Sequence, residues 1–310
     1  MAVRTHDAAL LDTLAPTAER LYERHVKASK EWFPHEMVSY DDAKDYLPGE
    51  EWDPSMVPMP DAVRSSLLVN ILTEDNLPYY FSAIARMFGE DSIWGTWSHR
   101  WTAEEGRHSI VLRDYLTMSR SLDPWVLERA RMQQVQAGFA GAAMPDAPNG
   151  FVYVALQELA TRIAHWNTGE MLDDPRGKEI MRRVAADENF HHLFYRDMVA
   201  EAIAVDPNRI VGALLQQVKT FEMPGTGIAG FRSHALAIAE VGIYDLAIHH
   251  DKILQWCIVT QWKIDQLEGL DAQAEADRDE LFSYMSRLKK VGDRAVEKRL
   301  ARAEKALASV

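Results

Sequence analysis

Cysteine is almost absent. Cys257 is the single one among 310 residues, so no intrachain disulfide can form and no zinc or iron–sulfur site can be built from cysteines. Long apolar runs are missing too. No stretch approaches the ~20 uninterrupted apolar residues of a membrane span, and the opening MAVRTHDAALLDTLA lacks the apolar segment of a signal peptide. Positive charge is in deficit: 34 basic residues against 47 acidic give a net charge of −13. A surface that tracks nucleic-acid phosphates needs clustered Lys and Arg, so broad nucleic-acid binding is excluded. Strand signals are scarce as well, with no Asn-Gly or Asp-Gly turn set between alternating β-branched runs. The expectation is a soluble, cytoplasmic protein.

What is present is core-forming material at helical spacing. Hydrophobic residues make up 47% of the chain, enough for a sizeable core, and nine tryptophans argue against disorder. Leu67, Leu68, Ile71 and Leu72 lead into Tyr80, Ile84 and Met87, while Ile110, Val111, Tyr115 and Leu116 repeat the three-and-four spacing. Asp123-Pro124 and Asp174-Pro175 each read as an N-cap followed by a first-turn proline. The pattern predicts helices over 8–28, 62–88, 92–120, 124–137, 150–171, 175–204, 207–221, 231–241, 244–262 and 275–307. Gly138 to Gly150 and Pro224 to Gly230 read as loops, and residues 30–60, with five prolines, as an ordered wrap. Pro78 falls inside the helix over 62–88 and is expected to kink it. Nothing resembles a linker between two cores, so residues 1–310 read as a single all-α domain.

Two segments share a chemical pattern. Ala103-Glu104-Glu105-Gly106-Arg107-His108 and Ala186-Asp187-Glu188-Asn189-Phe190-His191 both read Ala, acid, Glu, two residues, His. Glu at i and His at i+3 share a helix face, so each pair can hold a metal from one side. About one Glu-x-x-His is expected by chance in a chain of this composition, and the spacing is more telling. Glu74 lies 31 residues before Glu105, and Glu158 lies 30 before Glu188. The same unit therefore occurs twice, each glutamate on the helix preceding the Glu-x-x-His. Two antiparallel pairs packed together would point Glu74, Glu105, His108, Glu158, Glu188 and His191 into one bundle core. That is the arrangement of ferritin-like di-iron carboxylate proteins, here a four-helix bundle over roughly 62–204 extended by further helices over 207–307. Hard carboxylates with two imidazoles suit two iron ions, with manganese as a substitute.

Other residues accompany the pattern. Asp187 and Glu104 precede the two Glu-x-x-His glutamates, and each is either an acceptor for the free ring N–H of the histidine on the opposite pair or a plain exposed acid. Thr161, at i+3 from Glu158, can donate to bound oxygen or back-bond its own helix. Trp94, Trp97 and Trp101 read as core packing, and His192, His249 and His250 as ordinary histidines. From Arg287 onward there are eight basic and three acidic residues, a local excess that could attract an acidic partner or be neutralised by the protein's own acids.

These segments resemble the soluble acyl-acyl carrier protein desaturases, especially the actinobacterial branch that includes the mycobacterial DesA-type proteins. The likeness rests on Trp101 to His108, Gln157-Glu158-Leu159-Ala160-Thr161, Ala186-Asp187-Glu188 and Thr73-Glu74-Asp75-Asn76-Leu77-Pro78. It implies a homodimeric di-iron enzyme that uses oxygen and two electrons to place a double bond in a carrier-bound acyl chain. The electrons would come from a ferredoxin-like donor or another reductase. By the same resemblance, Glu105 and Glu188 would bridge two iron ions passing between Fe2+ and Fe3+, and Glu74 and Glu158 would be terminal ligands. Thr161 matches the threonine near the oxygen site, and Trp32 matches the tryptophan that couples through Asp187 and His108 in an electron route, its other reading being an aromatic packing peg. The chain departs from the family at Gly106, usually Asn, and at Asn189-Phe190, where plant members carry a basic pair.

Rival readings share the metal ligands. A ribonucleotide reductase radical subunit would carry a tyrosine where Leu112 stands, and a ferritin-type store would be about half this length. A di-iron oxygenase acting on a carrier-bound or free substrate differs only in its product.

Overall fold

The computed structural model describes residues 5–47, 49–138 and 144–308. Twelve α-helices appear among them: α1 Thr5–Ala28, α2 Pro34–Met37, α3 Asp61–Glu74, α4 Leu77–Phe88, α5 Ser92–Met118, α6 Pro124–Ala137, α7 Ala147–Glu170, α8 Pro175–Val205, α9 Pro207–Thr220, α10 Phe231–Glu240, α11 Leu246–Ile248 and α12 Ala272–Leu307. No strand occurs among the described residues.

The helix starts follow the sequence signals. The Asp123 carboxylate accepts from the Trp125 and Val126 amides, and Asp174 accepts from Arg176 and Gly177, with proline in the first turn in both cases. Asp206-Pro207 repeats the device at α9. An N-cap acid satisfies amides that have no partner within the helix, and proline there forfeits nothing.

Three expectations need correction. The helix over 62–88 is not kinked but broken: α3 stops at Glu74, and Pro78 lies in the first turn of α4. A proline ring clashes with the carbonyl four residues earlier, and that carbonyl belongs to Glu74, the last residue of α3. Arg131 of α6 clamps the break by donating to Asp75 at 2.5 and 3.1 Å. The helix over 244–262 is one α-helical turn, α11, followed by a π-helix over His249–Gln261. In the loop over 138–150, residues 139–143 lie outside those described, while 147–150 already form the first turn of α7. The wrap over 30–60 is α2 with two 3-10 turns, Tyr40–Asp42 and Pro54–Met56, Pro48 lying outside the described residues.

Four helices form the central bundle. α3 packs on α5, α5 on α8, α8 on α7 and α7 back on α3, closing a ring. Two apolar clusters cap it. One takes Trp94, Trp97 and Trp101 from the start of α5, with Phe194, Met198 and Ala202 from the far half of α8. The other takes Val111, Leu112 and Leu116 from the far half of α5, with Ile180 and Val184 from the start of α8. The two helices thus run in opposite senses. The residues between their apolar halves, 104–108 and 187–191, form a polar band at mid-bundle.

Candidate metal centre

The six residues of the doubled unit converge in that band, and each is at least nine-tenths buried. Glu74 comes from the last turn of α3, Glu105 and His108 from α5, Glu158 from α7, and Glu188 and His191 from α8. They form two groups. Glu74, Glu105, His108 and Glu188 make one, Glu105, Glu158, Glu188 and His191 the other, and within each group one ligand atom per residue lies within 4.8 Å of all the rest. Glu105 and Glu188 belong to both. Glu105 turns Oε2 toward His108 Nδ1 at 3.3 Å and Oε1 toward His191 Nδ1 at 2.8 Å. Glu188 does the same, with Oε1 3.6 Å from His108 Nδ1 and Oε2 3.8 Å from His191 Nδ1.

Each histidine has an acid behind it, hydrogen-bonded at His191 and in ion-pair contact at His108. His191 Nε2 lies 3.0 Å from Glu104 Oε2, and His108 Nε2 lies 3.5 Å from Asp187 Oδ2. Against burial, the surrounding carboxylates push both imidazoles well above the ordinary histidine range, so without a metal both rings are protonated. A metal would take the place of the Nδ1 proton and leave Nε2–H toward the acid behind it. Asp187 and Glu104 are therefore buried acceptors rather than exposed acids. Burial opposes their charge, but His108 and Arg183 hold Asp187 down at about 2, and His191 with His25 holds Glu104 far below the carboxylate range.

Trp32 completes one arm. Its Nε1 donates to Asp187 Oδ2 at 2.8 Å, and its ring stacks 6.4 Å from His108 at an interplanar angle of 12°. Arg107 lies 4.8 Å over the Trp32 ring and donates to the same Asp187 oxygen at 3.1 Å.

Three participants were given no role at the site by the sequence. His25 of α1 lies 2.8 Å from Glu104 Oε2 and forms the outer end of the second arm. His165, seven residues after Glu158 and so on the same face of α7, lies 3.1 Å from Glu74 Oε1. Trp101 packs as expected but also donates from Nε1 to Glu158 Oε1 at 3.0 Å. Thr161 back-bonds its helix, donating toward the Glu158 carbonyl at 3.1 Å, and lines the cavity beside the carboxylates. His192 and Cys257 are core residues: His192 contacts the Ala155 carbonyl at 2.8 Å, and burial pushes the Cys257 thiol up.

The donor set calls for cations. Glu105 Oε1, Glu158 Oε2, Glu188 Oε2, Nδ1 of His191 and both ring nitrogens of His108 are buried without a hydrogen-bond partner. Burial and the neighbouring Glu188 charge push Glu105 and Glu158 up, while the facing histidines hold Glu74 and Glu188 down. Without metal, the charge of the site is therefore balanced by protons on its imidazoles and on Glu105 and Glu158. Two divalent or trivalent ions between these atoms would satisfy the orphaned donors and neutralise the acids together.

The centre opens on one side only partly. A small void of about 40 Å³ lies against Glu74, Trp101, Glu105, Thr161 and Glu188. A cleft of about 410 Å³ begins at Thr73, Glu74, Thr161 and His165 and runs between α9, α10 and α12. Its walls are mainly apolar, with Val218, Phe221, Phe231, Ile238 and Leu288 along its length. It reaches exposed residues at Glu222 and Leu246. No helix among the described residues is long and apolar enough to cross a membrane.

The chain is similar to known proteins along most of its length. The chain is 39% identical over 290 residues to a Mycobacterium tuberculosis protein named as acyl-[acyl-carrier-protein] desaturase DesA1, covering 91% of this chain and 86% of that one. It is 30% identical over 257 residues to the chloroplastic stearoyl-[acyl-carrier-protein] 9-desaturase 6 of Arabidopsis thaliana, covering 77% and 65%. The X-ray structure of the M. tuberculosis H37Rv protein described as acyl-ACP desaturase DesA2 superposes with a TM-score of 0.68 at 25% identity, covering 83% of this chain and 98% of that one. The family model for fatty acid desaturases matches residues 6–309, and the chain belongs to that family.

Proposed function

We propose that the protein is a di-iron, oxygen-dependent desaturase that introduces a double bond into an acyl chain carried as a thioester on acyl carrier protein. The observation that carries this reading is the overlap of the two donor groups at Glu105 and Glu188, opening onto a mainly apolar cleft. Glu74, Glu105, His108 and Glu188 would hold one iron, and Glu105, Glu158, Glu188 and His191 the other, with Glu105 and Glu188 bridging. Mn could take the same positions. When bound, the irons supply oxygen activation and the oxidising power needed to break an unactivated methylene C–H bond, which no acid or base in the site can do.

The chain's own residues do the rest. The overall change removes two hydrogens from adjacent carbons, and with two electrons and two protons from outside it turns one oxygen molecule into two waters. The cleft would hold the acyl chain extended, excluding water and setting one carbon pair beside Thr161 and Glu74. The Thr161 hydroxyl can leave its backbone carbonyl and donate toward oxygen in the small void. Glu104 and Asp187 would orient the two imidazoles so that each Nδ1 faces the metals. Trp32, hydrogen-bonded to Asp187 and stacked over His108, offers a route inward for electrons from a ferredoxin-like donor or another reductase. We read the enzyme as a cytoplasmic homodimer.

Metal content tests the ligand set. Protein loaded with iron should carry two ions per chain, and Glu105→Ala or Glu188→Ala should lose or scramble both, since each removes a shared ligand. Full occupancy in both variants would refute the assignment.

A further inference from the structure

From Arg287 onward the chain, mostly in helix α12, carries eight basic residues against three acidic ones, and the structure sorts most of those cations into two sets. Lys289, Arg299 and Arg302 turn inward or sideways to acids of the protein: Lys289 to Asp251 and Asp293, Arg299 to Asp245 at 2.8 Å, and Arg302 to Glu240 at 3.1 Å. Lys290, Arg294 and Lys298 are exposed and make no ion pair among the described residues. Among the described residues Arg287 donates to the Ser283 hydroxyl at 2.8 Å and makes no ion pair, and it lies 5.6 Å over the Tyr284 ring. At 100° per residue, positions 287, 290, 294 and 298 fall within about 80° of one another around the helix. They form a stripe ~16 Å long on one face. Glu297 lies beside it and pairs with none of its members.

The stripe borders the acyl cleft. Tyr284 and Leu288 of α12 line that cleft, so Arg287 stands at its edge and the other three cations extend away from it. Val291, next to the stripe on α12, is 52% exposed, and Leu246, lining the cleft, is 45% exposed. Everything before Arg287 carries a net charge of −18. An acidic partner is therefore repelled by most of the molecule and attracted at this place. A planar anionic surface would meet the acidic remainder as well, whereas one helix-length of acidic protein matches the stripe in both extent and sign.

We infer that Arg287, Lys290, Arg294 and Lys298 form the docking surface for the acidic carrier protein, placing its thioester at the mouth of the cleft. The inference rests on the carrier-dependent desaturase reading. It differs from the bare charge excess of the sequence, because Lys289, Arg299 and Arg302 are committed to internal pairs and drop out.

Binding of labelled stearoyl-acyl carrier protein to the full chain tests it. The reversal Lys290→Glu/Arg294→Glu/Lys298→Glu should weaken binding at low salt by more than tenfold and flatten its salt dependence. The neutral set Lys290→Gln/Arg294→Gln/Lys298→Gln should lose less, in the same direction. Thermal unfolding should be unchanged in both, since these side chains are exposed. Reversal of Lys27 and Lys30, exposed cations near the end of α1, should leave carrier affinity alone. Unchanged carrier affinity in both α12 variants overturns the inference, as does a loss confined to the Lys27/Lys30 variant. Vesicles of phosphatidylcholine and phosphatidylglycerol that bind wild type but not the reversal, with carrier affinity intact, would also overturn it. The two readings fail separately: wild type that neither binds nor converts any acyl-carrier substrate refutes the function, while wild type that converts it with both α12 variants unaffected refutes only the surface.

Discussion

His25 Nε2 lies 2.8 Å from Glu104 Oε2, the same oxygen that faces His191 Nε2 at 3.0 Å. The two imidazoles lie nearly parallel, 5.8 Å apart at 19°, and Arg100 holds the other Glu104 oxygen through Nε at 2.7 Å. Glu104 is thus fixed from three directions, and its grip on His191 depends on a residue 79 positions away.

Replacing His25 by Leu should leave Glu104 free to swing from His191 and weaken the ion shared by Glu158 and His191. Losses of partners behind a ligand cost about 10–100-fold in metal affinity. His25→Gln keeps a donor and should recover most of it. Metal titration of both variants reads the effect directly. Equal affinity in His25→Leu and wild type would make His25 a packing residue.

Two glycines of α5 should respond oppositely to alanine. A Cβ at Gly95 would fall inside the Glu90 carbonyl, which is backbone and cannot turn away, so Gly95→Ala should cost about 1–3 kcal/mol. At Gly106 the nearest neighbour would be Leu77 Cδ2 at 3.9 Å, an ordinary contact. Gly106→Ala should therefore stabilise the metal-free protein by about 1 kcal/mol through helix propensity. Urea unfolding of the pair separates the signs.

Acid should weaken the fold through His249. Burial, aided by His250, lowers its pKa from the ordinary 6.5 to about 4. The unfolded chain then binds a proton that the folded chain refuses between those values. The His249 contribution to stability is complete above about 6.5 and lost as pH falls toward 4, amounting to about 3 kcal/mol. His249→Phe should flatten that part of the stability-against-pH curve, while buried His192, also lowered to about 4, retains a similar slope of its own.

Trp32→Phe removes the donor to Asp187 but keeps a ring beside Arg107. Reduction by a protein donor should slow about tenfold or more, while single turnover after chemical reduction should yield wild-type amounts of product. Equal slowing of both would assign Trp32 to site geometry rather than to electron entry.

The doubled Glu…Glu-x-x-His unit made the convergence of the six side chains legible, because its period shows which helix faces turn inward. Its bundle was legible for the same reason. His25 was not: helix periodicity places it inward without saying which of several cores it meets, and only the packing of α1 on α8 brings it to Glu104. His165 left a usable signal, sharing a face of α7 with Glu158 and Thr161. The break after Glu74 was readable from Pro78, whose clash falls on the Glu74 carbonyl, yet the apolar spacing runs unbroken across it. The π-helix over His249–Gln261 left no such trace, since its apolar residues suit a 3.6-residue period equally well.

The most direct measurement is the mass of the product. Iron-loaded protein, a reductant and oxygen are incubated with stearoyl-acyl carrier protein, and the released acyl group is weighed. The account predicts loss of two hydrogens, about two mass units, dependent on both oxygen and reductant, with Thr161→Ala consuming oxygen in excess of product. Addition of one oxygen, about sixteen mass units, would contradict desaturation and make the protein an oxygenase on the same scaffold.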